Sequence, residues 1–231
     1  MTTLHTRRFV SRTELDAALV DRLASTIGTG ASTAIMLSGG KTPLPAYNEL
    51  AARGPRHNDH LHILFSDDRY VPSTSNDSNY HHSCELLNAL GLPEDSLLRV
   101  RTELPLEDAA LDYERKLAVL LKSGVPIKLG LLGLGPDGHT ASLFESEHLE
   151  QARGHLAIAV QRPDGMEGIS VTPEFLQHVE KLIFVVAGGG KHDAIRSLMN
   201  ADPRLIAWQA VQGAPDVELW VEQAALSSLV A

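Results

Sequence analysis

Apolar residues fall into short continuous runs along the chain, and four of these runs stop abruptly at clusters of Gly, Ser or Asp. Thr33 to Leu37 leads into Ser38-Gly39-Gly40, His62 to Phe65 into Ser66-Asp67-Asp68, Leu129 to Leu132 into Gly133, and Leu182 to Ala187 into Gly188-Gly189-Gly190. A short apolar run with no polar face predicts a strand covered on both sides. Between the runs the spacing becomes helical. Leu15, Leu19 and Leu23 follow a candidate N-cap at Thr13, and Leu111, Leu117, Leu120 and Leu121 lie in a segment opened by Pro105-Leu106-Glu107. Further strands are expected over Leu156 to Val160 and Val217 to Val221, and further helices over Asn79 to Leu90, Pro173 to Glu180 and Lys191 to Met199. Parallel strands need long crossovers, which helices usually fill. The pattern predicts an α/β fold, a Rossmann-like three-layer sandwich with a central, mostly parallel β-sheet flanked by helices.

Nothing repeats at a solenoid period, and the loops at Gly54 to Asp59, Pro72 to Ser78 and Gln161 to Gly168 are too short for linkers. A single domain over residues 1–231 is expected, with Gln161 to Gly168 as a candidate mobile lid. Charge narrows the partners. The chain carries 20 Lys and Arg against 29 Asp and Glu, a net charge of −9, and its one dense basic pair is Arg7-Arg8. Such a surface repels phosphate backbones and anionic lipid, so neither nucleic acid nor a membrane is an expected partner. No apolar stretch approaches the ~20 residues that cross a bilayer. Cys84 is the single cysteine and no apolar segment follows the first charges, so a reducing, cytoplasmic location is expected. In a helical segment, Cys84 reads as packing rather than as a nucleophile.

In an open parallel sheet, ligands bind beyond the carboxyl ends of the strands, so the four polar clusters should meet in one crevice. The first, Ser38-Gly39-Gly40-Lys41-Thr42 before Pro43, is built like an anion cradle: glycines let backbone N–H groups approach, and Lys41 and Thr42 add donors. In the second, Asp67, Asp68 and Arg69 end a buried run, where charges must be paired, and alternation places the two carboxylates on different faces. The third, Gly133 to Phe144, sets His139 two residues from Asp137 at the mouth of an expected helix, a base with its orienting carboxylate. The fourth brings Lys191 to the start of another helix, where it can hold a phosphate opposite Lys41. His57, His60 and His62 lack a nearby Cys or a helical His-x3-His pair, so no metal site is expected. A Gly-x-Ser-x-Gly element is absent, which disfavours a serine hydrolase.

Three of these stretches carry a resemblance. LSGGKTP at 37–43, DDRYV at 67–71 with SNY at 78–80, and above all GLGPDGHTASLF at 133–144 together resemble the 6-phosphogluconolactonase family, a relative of the glucosamine-6-phosphate deaminases. Deaminases are expected to continue the Asp-Gly-His element with Ile-Ala-Phe-Asn-Glu and to carry Asp-Glu-Tyr at 67–69, and this chain does neither. The resemblance implies the sandwich fold, hydrolysis of 6-phospho-D-glucono-1,5-lactone to 6-phosphogluconate in the oxidative branch of the pentose phosphate route, and no metal or organic cofactor. It also exposes departures. The Pro expected after Phe144 is Glu145, the expected Glu at 68 is Asp68, and the Asp expected after Trp220-Val221 is Glu222. Where relatives read Arg-Ile-Thr-Leu-Thr, with the Arg resembling a phosphate ligand, this chain reads Gly168-Ile169-Ser170-Val171-Thr172. Either Lys191 and Lys41 then suffice, or Arg162 in the neighbouring loop reaches in, or the substrate is altered.

His139 is accordingly expected to act as general base on water with Asp137 orienting its ring, while Arg69 or the N–H groups of the Gly133 to Gly138 loop receive the oxyanion. A monomer or weak homo-oligomer is expected. Two rivals remain at this stage: an aldose-ketose isomerising deaminase with Asp67 as base, and a sugar-phosphate sensor without turnover.

Overall fold

The computed structural model describes residues 2–56 and 60–226, so His57 lies outside the described residues. Ten strands are present among them: β1 (Leu4–Phe9), β2 (Thr33–Leu37), β3 (Leu61–Phe65), β4 (Asp67–Arg69), β5 (Leu97–Leu98), β6 (Ile127–Leu132), β7 (Ala157–Gln161), β8 (Glu167–Val171), β9 (Leu182–Val186) and β10 (Val217–Glu222). Seven form a wholly parallel sheet in the order β1-β10-β9-β6-β2-β3-β5. The other three make a small antiparallel sheet, β4-β8-β7, joined to the large one where the Val171 N–H donates to the Ser66 carbonyl.

The helices are α1 (Arg12–Ile27), α2 (Leu44–Ala52), α3 (Asn79–Leu90), α4 (Leu106–Lys122), α5 (Ser146–Gln151), α6 (Pro173–Leu176), α7 (His192–Met199), α8 (Ile206–Val211) and α9 (Gln223–Leu226). Alternation along the strands divides the core between them. In β2, Ile35 and Leu37 pack with Leu15, Leu19 and Leu23 of α1 and Tyr47 of α2, while Ala34 and Met36 face Leu117 of α4 and Phe175 of α6 on the other side. In β9 the same division sends Ile183 and Val185 one way and Leu182, Phe184 and Val186 the other. A strand buried on both faces must be apolar throughout, which is why these segments read as unbroken runs. The expected three-layer sandwich with its mostly parallel central sheet is the observed fold.

Several local expectations are corrected. The N-cap of α1 is Ser11, whose side chain accepts the Glu14 N–H, and Thr13 already lies inside the helix. Leu111 of α4 faces outward at 45% exposure, because the buried stripe runs through Tyr113, Leu117 and Leu120. The helix expected to reach Glu180 ends at Leu176, since Val179 must bridge to Ile127 and the Glu180 N–H must donate to the Ile127 carbonyl. The Gln161 to Gly168 segment is a hairpin turn rather than a lid: Arg162 N–H donates to Met166, and Gly165 N–H to Arg162, closing β7 onto β8. Arg7 on the exposed edge strand β1 stacks its guanidinium over Phe9 and Trp220 instead of forming a basic patch.

Asp68 ties the two sheets to the helical layer. Its buried carboxylate accepts the N–H groups of Asn79 (2.7 Å) and Tyr80 (3.2 Å) and the hydroxyl of Ser78 (3.1 Å), so it caps α3 from β4. Burial pushes this carboxyl up to about 6, against the pull of those donors. Between the ordinary value of 3.8 and about 6 the folded chain therefore holds a proton that the unfolded chain has released, and stability falls as pH rises through that window. Asp68→Ala is expected to orphan the donors and cost about 1–3 kcal/mol at neutral pH while removing that pH slope. Urea unfolding at pH 4, 5, 6 and 7 checks both; unchanged stability would contradict the capping role.

Candidate active site

Between β2 and β6 the chain order reverses: β3 lies on one side of β2, while β6 and β9 lie on the other. Loops leaving adjacent strands here diverge and open a crevice at the carboxyl ends. The crevice is a cavity of 240 Å³ walled by Ser38 to Pro43 after β2, Asp67 and Arg69 from β4, Asn79 of α3, Gly133 to Pro136 and His139 after β6, and Arg162 and Lys191. All but one of the residues singled out in the sequence line it: Ser38, Gly39, Gly40, Lys41, Thr42, Asp67, Arg69, His139, Arg162 and Lys191. Asp137 stands behind the His139 ring rather than in the wall.

The first loop is held from both ends. Tyr47 donates its hydroxyl to the Ser38 carbonyl (2.9 Å) and receives the Ser38 N–H, while Arg12 donates to the Thr42 carbonyl. A Cβ on Gly39 would fall 1.8 Å from Asn79 Oδ1, so only glycine lets the cradle meet the start of α3. Asn79 was not singled out as a site residue. Its amide donates to the Asp67 carbonyl (2.9 Å) and its oxygen accepts Arg69 Nη1 (2.6 Å), which links the first two clusters. Arg69 Nη1 also donates to the Asp77 carbonyl, and Arg69 Nε is buried without a partner among the described residues.

The third cluster forms no helix mouth. Gly133 to Phe144 is an irregular loop, and α5 begins only at Ser146, because the loop spends its donors on itself: Gly135 N–H to the His139 carbonyl, Thr140 Oγ1 to the Gly133 carbonyl, and Leu143 N–H to the Thr140 carbonyl. The result aims the histidine. Asp137 Oδ1 accepts His139 Nδ1 at 2.5 Å, and the imidazole lies against Phe144 with ring centroids 4.3 Å apart. Burial raises the Asp137 carboxyl, and its hydrogen bond and attraction to His139 outweigh this, so it stays below its ordinary value. With Nδ1–H committed to Asp137, Nε2 is the acceptor nitrogen.

A buried polar chain runs behind the wall. Asp67 Oδ1 accepts the Ser66 hydroxyl and Oδ2 the Ser142 hydroxyl, both at 2.8 Å, and Ser142 Oγ in turn accepts Arg162 Nη1 at 2.8 Å. Asp67 and Asp68 do face different ways, one toward this chain and one toward α3. Ser142 lay inside the longest motif without an assigned role, and only the hairpin's return to the site gives it one. Of the fourth cluster, only Lys191 reaches the cavity, with its ammonium lowered by burial. Glu222, one carbon longer than the expected Asp, accepts the Gly188 N–H at 3.1 Å and fixes that loop. No group of three or more His, Cys, Asp or Glu able to hold a metal occurs among the described residues.

The sequence model of the family described as glucosamine-6-phosphate isomerases/6-phosphogluconolactonase matches residues 10–220. The chain belongs to this family. Within it, a 6-phosphogluconolactonase from Homo sapiens is 32% identical over 207 residues, covering 83% of this chain and 80% of the relative. One from Treponema pallidum is 34% identical over 204 residues, with 83% and 84% covered. A crystal structure of 6-phosphogluconolactonase from Thermotoga maritima superposes with a TM-score of 0.80 at 24% identity, covering 96% of this chain and all of that one, and thus shares the fold. Both of these sequence relatives are named 6-phosphogluconolactonase. Among the described residues, no helix is long and apolar enough to cross a membrane.

Gly135 reports on the aim of the base. A Cβ there would lie 2.1 Å from His139 Nδ1 and 2.4 Å from Asp137 Oδ1, so Gly135→Ala must push the pair apart. Turnover of the family's lactone is expected to fall by 10-fold or more with the melting temperature little changed. Unaltered turnover would mean that the His139–Asp137 geometry does not matter.

Proposed function

We propose that the chain is a cytoplasmic hydrolase, one domain over residues 1–231 working as a monomer or weak homo-oligomer, that opens 6-phospho-D-glucono-1,5-lactone to 6-phosphogluconate. The observation that carries this reading is His139, held by Asp137, in the wall of a cavity that also presents Lys41, Arg69 and Lys191. Lys41, Thr42, Lys191 and the N–H groups of Gly39 and Gly40 take the phosphate, since cations and glycine-rich backbone at helix starts suit an anion. The lactone carbonyl then sits over His139.

His139 Nε2 takes a proton from water as the water oxygen attacks the carbonyl carbon, and Asp137 steadies the imidazolium that forms. Charge on the carbonyl oxygen passes to the Arg69 guanidinium, which lines the cavity. The tetrahedral adduct collapses with its carbon–ring oxygen bond broken, and the imidazolium returns the proton to the leaving oxygen. A general base supplies roughly 10²–10⁴ and an oxyanion donor roughly 10²–10³, enough for an already reactive cyclic ester. Asp67 has a different task. Both its oxygens accept hydroxyl hydrogens, so it anchors Ser142 instead of abstracting a proton, which argues against the deaminase alternative.

Acid release from freshly generated lactone tests the proposal. The wild type is expected to exceed spontaneous hydrolysis, and His139→Ala to lower kcat by about 10²–10⁴ with KM little changed. Lys41→Ala and Lys191→Ala should instead raise KM. A wild-type rate equal to the background would overturn the lactonase reading in favour of a sensor, and ammonia release from an amino-sugar phosphate would favour a deaminase.

A further inference from the structure

We propose that Arg162 holds the substrate phosphate from the end of β7, through a space that Gly168 leaves empty on the facing strand; this rests on the phosphorylated lactone proposed above. The side chain of Arg162 is 8% exposed, yet it lines the cavity. A buried guanidinium is costly unless its donors are used. Asp164 accepts Nε (3.2 Å) and Nη2 (2.8 Å) at the protein surface, and Ser142 accepts Nη1. That accounts for three of the five N–H groups and leaves one hydrogen on each terminal nitrogen. The remaining edge is the fork that grips two oxygens of a phosphate.

Its orientation is imposed from three sides. Ser142 gives its own hydrogen to Asp67, so a lone pair must face Arg162. The guanidinium carbon lies 5.0 Å from the Phe144 ring centre, and the same ring packs on His139, which makes Phe144 a spacer between cation and base. Asp164 supplies the counter-charge from outside the cavity wall.

Register explains why the cation comes from residue 162. Val160 pairs with Gly168 across the hairpin, and Arg162, two residues on, projects on the same face. A Cβ on Gly168 would lie 3.2 Å from Arg162 Cδ, 3.2 Å from the Asp68 carbonyl oxygen and 3.4 Å from Ser142 Oγ. The stem of Arg162 therefore fills part of the room that a side chain at 168 would need. Positions 162 and 168 compete for one volume, and this chain has given it to 162.

The test compares 6-phosphogluconolactone with glucono-1,5-lactone, which lacks the phosphate, and records melting temperatures. Arg162→Gln is expected to lose about 10- to 100-fold in kcat/KM on the phosphorylated substrate, chiefly through KM, and less than about threefold on the other. In the double variant Arg162→Ser/Gly168→Arg, the guanidinium reaches the same volume from β8 and is expected to recover 10-fold or more over Arg162→Ser. An arginine that only stapled the hairpin would lower the melting temperature and leave the ratio between the two substrates unchanged; that result overturns the proposal, as does absence of recovery. If the wild type turns over neither lactone, calorimetric binding of inorganic phosphate decides: weaker binding by Arg162→Gln supports the assignment, and equal binding refutes it.

Discussion

The parallel pairing of β2 with β6 is the constraint on which the site depends. Because the chain leaves β2 toward β3 and returns to add β6 on the other side, the two loops that follow these strands diverge over one point of the sheet. A glycine-rich loop and a histidine loop that are about a hundred residues apart in sequence thereby line one cavity. The strands that create this arrangement can be apolar over most of their length because helices cover both faces. All the chemistry is thus confined to their carboxyl ends, where backbone N–H groups and side chains are free to turn inward.

Around that point the structure places fixed hydrogen bonds where motion would blur the geometry. Asp68 caps α3, Asn79 on α3 locks Arg69, and Asp67 locks Ser142, so the small antiparallel sheet and the helical layer converge on the same few side chains. Burying two adjacent carboxylates is expensive, and the cost is offset by giving each its own set of donors on opposite sides of β4. The histidine loop follows the same rule by satisfying its own backbone and leaving the imidazole free to face the cavity. The departure at 222 falls into this scheme: the Glu222 carboxylate accepts the Gly188 N–H and holds that loop.

The central sheet was legible because strands buried on both faces leave an unmistakable apolar run, and the polar clusters at their ends pointed to the crevice. The small sheet was not. Asp67 to Arg69 is short and charged, and Glu167 to Val171 sat half inside a segment that read as a loop, since its strand character comes from pairing with β4 and β7 rather than from its own pattern. Thr13 and Ser11 are both competent caps, and only the path of the chain out of β1 selects Ser11. His139 and Asp137 could be named from their spacing, but Ser142 and Asn79 could not, because each acts on partners brought near only by the fold. Gly168 read as a loss of charge; in the folded hairpin it lies beside the stem of Arg162.

That His139 activates water directly, with no covalent intermediate on the nearby Asp67, is the central claim. A single turnover in ¹⁸O-labelled water, with protein in excess over freshly made 6-phosphogluconolactone and faster than the spontaneous reaction, tests it most directly. One labelled oxygen in the product carboxylate and none in the protein is the predicted result. Unlabelled product in that first turnover, with ¹⁸O appearing in the Asp67 carboxylate, would contradict it.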